Sequence, residues 1–240
     1  MVHPIFVNEL IPGVREIPAH TFYAVLAFLA VLVFAFRANR QLAVARAAGT
    51  ELVPDEKFTA RNAAELFVGF IRSLGEGVLG ERASRYTSLF GTFFLFILIS
   101  NFLGLIPGFS PPTSNFQTTL ALGFASFVSF NYIGIRDQGL LKYLAHFAGP
   151  IWWLAILMFP LELVGTLVRP FSLGLRLFGN MTGDHLVLEI FTGLTKIGIP
   201  IIFYFFGTLV SVLQAFVFTL LTIIYVSLSV GHDDHHAHHH

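Results

Sequence analysis

Cysteine is absent from this chain, and charged residues are scarce. The 240 residues contain no Cys and only 12% Asp, Glu, Lys and Arg, whereas 55% are hydrophobic. The absence of cysteine excludes disulfides, thiolate metal ligands and thiol nucleophiles. Soluble domains carry about 25% charged residues, so this composition is typical of an integral membrane protein rather than a soluble one.

The few charges are unevenly placed, and their placement predicts an orientation. Lys and Arg together number 14, as do Asp and Glu, which leaves no net charge. Basic residues concentrate between residues 37 and 86, and Arg136 and Lys142 form a second basic site. Because basic loops remain on the cytoplasmic side of a membrane, we expect the N-terminus outside and the C-terminus in the cytoplasm.

Long apolar runs predict an all-α polytopic membrane protein with about five membrane helices. The predicted spans are residues 21–36, 87–106, 116–135, 151–190 and 201–230. Residues 1–19 are polar and punctuated by proline, which predicts an external segment. Residues 231–240 are rich in histidine and could bind metal, but a solvated, disordered tail is the favoured interpretation.

Residues 56–79 carry an apolar side and a polar side, and they predict an additional, amphipathic helix. The Arg61–Glu65 and Arg72–Glu76 pairs have i,i+4 spacing and are expected on the wet side. We therefore expect this helix to lie on the cytoplasmic membrane surface.

The last two spans are too long to stand upright in a bilayer. A helix of 40 residues is about 60 Å long, whereas the hydrocarbon core is about 30 Å thick. Residues 151–190 must therefore form a steeply tilted helix or break near Pro170 or the glycines. Residues 201–230 are also expected to form a long, tilted helix.

Polar side chains line one face of residues 162–185 when that stretch is drawn as a helix. That face carries Glu162, Arg169, Ser172, Arg176 and Asn180. An arginine inside a bilayer costs about 3 kcal/mol on insertion scales and 10 or more in simulations. Such an expensive residue indicates function at Arg176, although pairing with Glu162 or Asp184 for packing alone is the alternative.

The other polar residues of this stretch have less decisive patterns. Glu162 could relay a proton or extend to the interface, and Arg169 is expected to be structural or to face lipid headgroups. Asp184, His185 and Glu189 cluster toward the outer end, where histidine can exchange protons because it titrates near pH 6.5. An ordinary polar interface residue is the alternative. His185 lies about 180° from Arg176 on an ideal helix, so it must line a path from another side.

The last span carries a polar stripe of its own. It contains Gly207, Ser211, Gln214 and Tyr225, with Thr222 nearby. The amides of Asn180 and Gln214 could bond water and each other across the helix pair, and ordinary interhelical hydrogen bonding explains either amide alone nearly as well. Two long antiparallel helices with facing polar stripes are typical of the walls of an ion path.

Three sequence strings resemble one known family. PFSLGLRLFGNMTGDHL, with Glu162 upstream, SVLQAFVFTLLTIIY and NFLGLIPGFSPPTSNFQTTLAL are similar to subunit a of F-type ATP synthases. The resemblance covers residues from about 87 to 228. It implies a bacterial inner-membrane protein whose partners are the c-ring, subunit b of the peripheral stalk and the rest of the complex.

The resemblance also implies a role for each site residue. Such a subunit forms two offset half-channels against the c-ring, with Arg176 between them as the essential residue. Glu162 and Ser172 match the cytoplasmic half-channel, while Asn180 and Gln214 match the family's amides. His185 stands where relatives have an acidic residue or histidine, and the usual partner position holds Gly207. His185 would then act alone or with Asp184 or Glu189. Where many relatives have a loop aspartate, this chain reads Thr113-Ser114-Asn115.

No sequence motif indicates an enzyme site, a cofactor site, a metal site or nucleic-acid binding. There is no phosphate loop, nucleophile constellation or zinc-ligand spacing. A secondary transporter that binds a small anion at Arg176 is the main rival, but it predicts an internal repeat that the sequence lacks. A purely structural anchor would leave the two polar stripes unexplained.

Overall fold

All regular structure in the part of the chain that is described is helical. The computed structural model describes residues 18–47, 59–106, 108–140, 142–143, 155–194 and 198–230. Its six long helices are α1 (Ala19–Ala47), α2 (Ala60–Leu79), α3 (Ala83–Leu103), α4 (Phe116–Gln138), α5 (Ala155–Leu194) and α6 (Gly198–Val230). Five segments are long and apolar enough to cross a membrane. The predicted all-α membrane class is therefore confirmed.

The first helix continues far beyond its predicted end. We expected residues 21–36, whereas α1 runs from Ala19 to Ala47 and includes Arg37 and Arg40. The added residues, RANRQLAVARA, contain no Gly or Pro and many strong helix formers. A change from apolar to basic composition therefore ends the membrane-compatible part of α1 without ending the helix.

The amphipathic helix α2 is tied to its neighbours by a buried charge. It begins at Ala60, after Thr59 caps it by accepting a hydrogen bond from the Asn62 N–H. The expectation that Arg61 lies on the wet side is wrong, because Arg61 is only 2% exposed. The Arg61 guanidinium lies 2.6 Å from the Glu65 carboxylate. The backbone N–H of Arg61 donates a hydrogen bond to the Gln41 side-chain oxygen of α1. Residues 56–58 of the predicted helix lie outside the described residues.

A proline-containing loop joins α3 to α4. Helix α3 begins at Ala83, directly after the 3-10 turn Gly80–Arg82, and ends at Leu103 instead of Ile106. Helix α4 begins at the predicted residue, Phe116, because Asn115 caps it by accepting from the Gln117 N–H. It continues beyond residue 135 to Gln138.

Helix α5 is continuous through both of its prolines, Pro160 and Pro170. We expected either a steeply tilted helix or a break near Pro170 or the glycines, and the expectation of a break is wrong. Pro170 lacks an N–H, so one hydrogen bond is missing from the helix there, and α4 packs closely against the same part of α5. A Cβ added to Gly123 would collide with the Pro170 carbonyl oxygen, and one added to Gly174 would lie 3.0 Å from the Thr119 carbonyl oxygen.

The core lies between α3, α4 and α6, and α5 covers only one side of it. Phe90, Ile97, Phe130, Phe218 and Ile223 are fully or almost fully buried there. Helix α6 packs against α2, α3, α4 and α5. The opposite side of α5 is exposed and apolar, with Ile156, Leu161, Val164, Phe171, Leu175 and Leu186 on it. This helix therefore holds its polar site at the edge of the molecule.

The close approach of α4 and α5 generates a test of the fold. Gly123→Ala should destabilise the protein by about 1–3 kcal/mol, because the new methyl group must push the two backbones apart. Gly77→Ala on α2 is the matched control, since a Cβ there meets nothing within 4 Å. Thermal unfolding in detergent measures both variants, and equal midpoints would contradict the packing.

Candidate functional site

A cavity between α5 and α6 contains the polar residues that the sequence singled out. Its volume is about 620 Å³, and Arg176, Asn180, Asp184 and Gln214 line it. Apolar side chains, including Phe203, Phe206 and Val210, complete the wall. The helical spacing of residues 176, 180 and 184 explains why α5 aims three polar side chains into one space.

Arg176 makes no ion pair or hydrogen bond to any residue in the described part of the chain. Its side chain is exposed. Glu162, which could have neutralised it, instead lies 3.5 Å from the Arg169 guanidinium. The alternative in which Glu162 pairs with Arg176 for packing therefore fails. A permanently charged group is left available at the mouth of the cavity.

The amides of Asn180 and Gln214 form the predicted bridge between the two helices. Asn180 Nδ2 donates to Gln214 Oε1 over 2.7 Å. Gln214 is buried, and its Nε2 has no protein partner among the described residues. A buried amide with an open donor can bind water, so the bridge leaves one polar contact for the contents of the cavity.

The acidic and histidine side chains in the C-terminal half of α5 face different surroundings. Asp184 lines the cavity, and its Oδ2 would lie 2.8 Å from a Cβ added to Gly207. The His185 Nε2 lies instead against Gly104, at the start of the α3–α4 connection. Glu189 is exposed. The expectation that His185 and Arg176 occupy different faces is confirmed, and Asp184 fills the space that Gly207 leaves.

Buried polar groups from α3, the α3–α4 connection and α6 form a hydrogen-bonded chain that the sequence did not predict. Thr113 donates to Asn101 Oδ1 over 2.7 Å, and Asn101 Nδ2 donates to the Ser211 carbonyl oxygen over 3.4 Å. His185 Nε2 and the hydroxyls of Ser100 and Ser211 have no protein partner within the described residues. Asn101 and Ser211 are polar residues within apolar spans, and this pattern is the feature of the sequence that could have pointed to them. Their proximity depends on how three elements pack.

Arg169 makes the polar contacts in the part of the site that lies earlier on α5, whereas Ser172 is exposed. The Arg169 guanidinium lies 5.3 Å from the centre of the Tyr225 ring. Thr222 is buried and shares a 2.9 Å hydrogen bond with Ser126 of α4. The predicted stripe on α6 therefore divides, with Gln214 and Tyr225 toward α5 and Thr222 toward α4.

Comparison with known proteins now identifies the family. The chain matches the family described as ATP synthase A chain over residues 21–227. This protein belongs to the ATP synthase subunit a family. It is 42% identical to ATP synthase subunit a of Bdellovibrio bacteriovorus, over 94% of this chain and 97% of the relative. It is 41% identical to ATP synthase subunit a 1 of Pelobacter propionicus, over 96% and 98% respectively.

A shorter alignment with a third relative shows higher identity. ATP synthase subunit a of Geobacter sulfurreducens is 49% identical over 71% of this chain and 74% of the relative. Membership in the family, together with five apolar helices, supports an integral membrane protein with a non-catalytic channel role in the membrane sector of an ATP synthase. It favours this role over a secondary transporter.

The contact between Asp184 and Gly207 generates a test of the site in this family member. Gly207→Ala should slow proton pumping severalfold, because a methyl group there displaces the Asp184 carboxylate and Leu105, which lies 2.9 Å from the same point. Gly183→Ala is the control, since it borders the cavity but its Cβ meets nothing within 4 Å. Pumping is measured in inverted membrane vesicles. Equal effects of both variants would contradict the packing of Asp184 against Gly207.

Proposed function

We propose that this protein is the proton-translocating stator subunit of an F-type ATP synthase. In this proposal it forms two offset half-channels against the c-ring, and Arg176 separates them. Proton flow through the half-channels drives rotation of the ring and thereby ATP synthesis. The N-terminus lies outside and the C-terminus in the cytoplasm of a bacterial inner membrane.

The observation that carries the proposal is the state of Arg176. It lies on the exposed side of a long apolar helix, borders the cavity and has no counter-ion among the described residues. A charge in this position is costly unless a partner meets it. A carboxylate on a neighbouring subunit is the group that would complete the pair, and the c-ring supplies one.

The proposed chemistry follows from electrostatics at short range. A positive charge within about 4–6 Å of a carboxylate lowers the carboxylate's pKa by 1–3 units. A ring carboxylate that reaches Arg176 would therefore release its proton. The same fixed charge repels protons in the cavity, which prevents a direct leak from one half-channel to the other.

Two sets of polar residues would form the half-channels. On the outer side, the path would run past Asn101, Thr113 and His185 toward Asp184, with Glu189 near its entrance. On the inner side, the path would be lined by Glu162 and Ser172, which are both exposed on α5. Asn180 and Gln214 would hold water beside Arg176 through the free Gln214 donor.

The partners follow from the same arrangement. The exposed apolar side of α5 that contains Arg176 would contact the c-ring, because a carboxylate must reach the guanidinium from that side. Subunit b of the peripheral stalk would prevent the protein from turning with the ring. Lipid would cover the remaining apolar surface.

Replacement of Arg176 is the decisive experiment. Arg176→Lys and Arg176→Ala in the intact complex should abolish ATP-driven proton pumping into inverted vesicles. Lysine fails because it can lose its proton where arginine stays charged. Arg72→Ala is the control, since Arg72 is an exposed arginine paired with Glu76, and surface pairs contribute about 0–1 kcal/mol. Pumping that survives in either Arg176 variant would disprove the central proposal.

Substitution of His185 tests the outer path. His185→Gln should slow pumping without abolishing it, because Asp184 and nearby water can still pass protons. The slowing should vary with external pH if the imidazole exchanges protons, since free histidine titrates near pH 6.5. Vesicles prepared over a range of pH values provide the measurement. An unchanged rate at every pH would show that His185 is an ordinary polar residue with no part in proton transfer.

A further inference from the structure

The two arginines of α5 have opposite environments although they share one side of the helix. Arg176 has no partner among the described residues, whereas Arg169 lies 3.5 Å from Glu162 and 5.3 Å from the Tyr225 ring centre. Arg169 is also less exposed, at 24%. The tertiary structure shows what makes the two environments different, which is contact with Glu162 and Tyr225 at Arg169.

The spacing of the two arginines makes the difference important. Seven residues correspond to about 10 Å along a helix and return to almost the same direction. A second free guanidinium on this side would meet the same passing carboxylate as Arg176. Ion pairs are strong where water is scarce. The ring carboxylate could therefore pair with this second guanidinium instead of with Arg176.

Contacts from two helices hold Arg169 in place. Glu162, two turns earlier on α5, supplies a carboxylate, and Tyr225 of α6 supplies an aromatic face. Cations are attracted to such a face within about 6 Å of its centre. Tyr225 is itself packed on Phe130 of α4, with ring centres 5.7 Å apart.

We propose that Glu162 and Tyr225 sequester Arg169, so that α5 presents Arg176 as the single available arginine to the ring carboxylate. Glu162 and Tyr225 are then positioning residues, and Glu162 has this second role besides any proton relay. This inference rests on the proposed function, because it requires a carboxylate to pass along α5. Tyr143, which is buried and hydrogen-bonded to Asn131, is a further titratable group near this pair.

A double substitution in the intact complex separates the two roles of Glu162. Glu162→Gln should slow ATP-driven pumping, because it both removes a relay and releases Arg169. Adding Arg169→Gln should then restore the rate by roughly two- to tenfold relative to Glu162→Gln alone, as expected for contacting residues that couple. A double variant that is no faster than Glu162→Gln would overturn the proposal, since a pure relay gains nothing from losing Arg169.

Substitution of Tyr225 is a second, independent test of this proposal, and it has a matched control. Tyr225→Leu removes the aromatic face and should slow pumping, whereas Tyr225→Phe retains the face and should not. Arg169→Gln should also rescue Tyr225→Leu, which repair of a merely structural defect would not explain. Equal rates for the Leu and Phe variants would contradict the role of the ring. The amount of assembled complex is measured for every variant so that rates are compared per complex.

The Arg176→Ala variant distinguishes failure of this inference from failure of the proposed function. If Arg176→Ala still pumps, the proposed function itself is wrong. If Arg176→Ala is inactive and neither double variant recovers, only the sequestration of Arg169 is wrong.

Discussion

The structure depends on one constraint, which is that a permanent positive charge must be kept in an apolar helix without a counter-ion among the residues that the structure describes. Arg176 meets this constraint by lying at the edge of the molecule, beside a polar cavity. The cost of such a charge is several kcal/mol even on the mildest scales. A partner that brings a carboxylate from outside lowers this cost, so the exposed side of α5 has both an energetic and a functional reason to meet another subunit.

The rest of the fold keeps this charge in a defined position. Glycine contacts bring α4 and α5 together at Gly123 and Gly174, which supports the helix where Pro170 would otherwise weaken it. The Asn180–Gln214 hydrogen bond fixes α5 against α6 one turn beyond Arg176. Close backbone packing and a few interhelical hydrogen bonds are the means available inside a membrane, where lipid is as apolar as the helices themselves.

The sequence predicted the fold class more accurately than the ends and the contacts of the helices. Apolar runs gave the spans because burial in lipid requires uninterrupted helices of about 20 residues. Helix ends were less accurate, as α1 shows, because a basic helical segment can follow an apolar one without any stop signal. Arg61 was misplaced since its i,i+4 partner suggested an exposed pair, whereas α1 packs over it.

The chain by itself therefore determined that Arg176 lies on a membrane helix with Glu162, Ser172 and Asn180 on its side, because periodicity and cost are local properties. Only the tertiary structure decided which groups meet. It brought Asp184 against Gly207, aimed His185 at the α3–α4 connection and placed Arg169 over Tyr225. These contacts join residues far apart in the sequence, and their geometry depends on the rotation and tilt of whole helices, which no local pattern encodes.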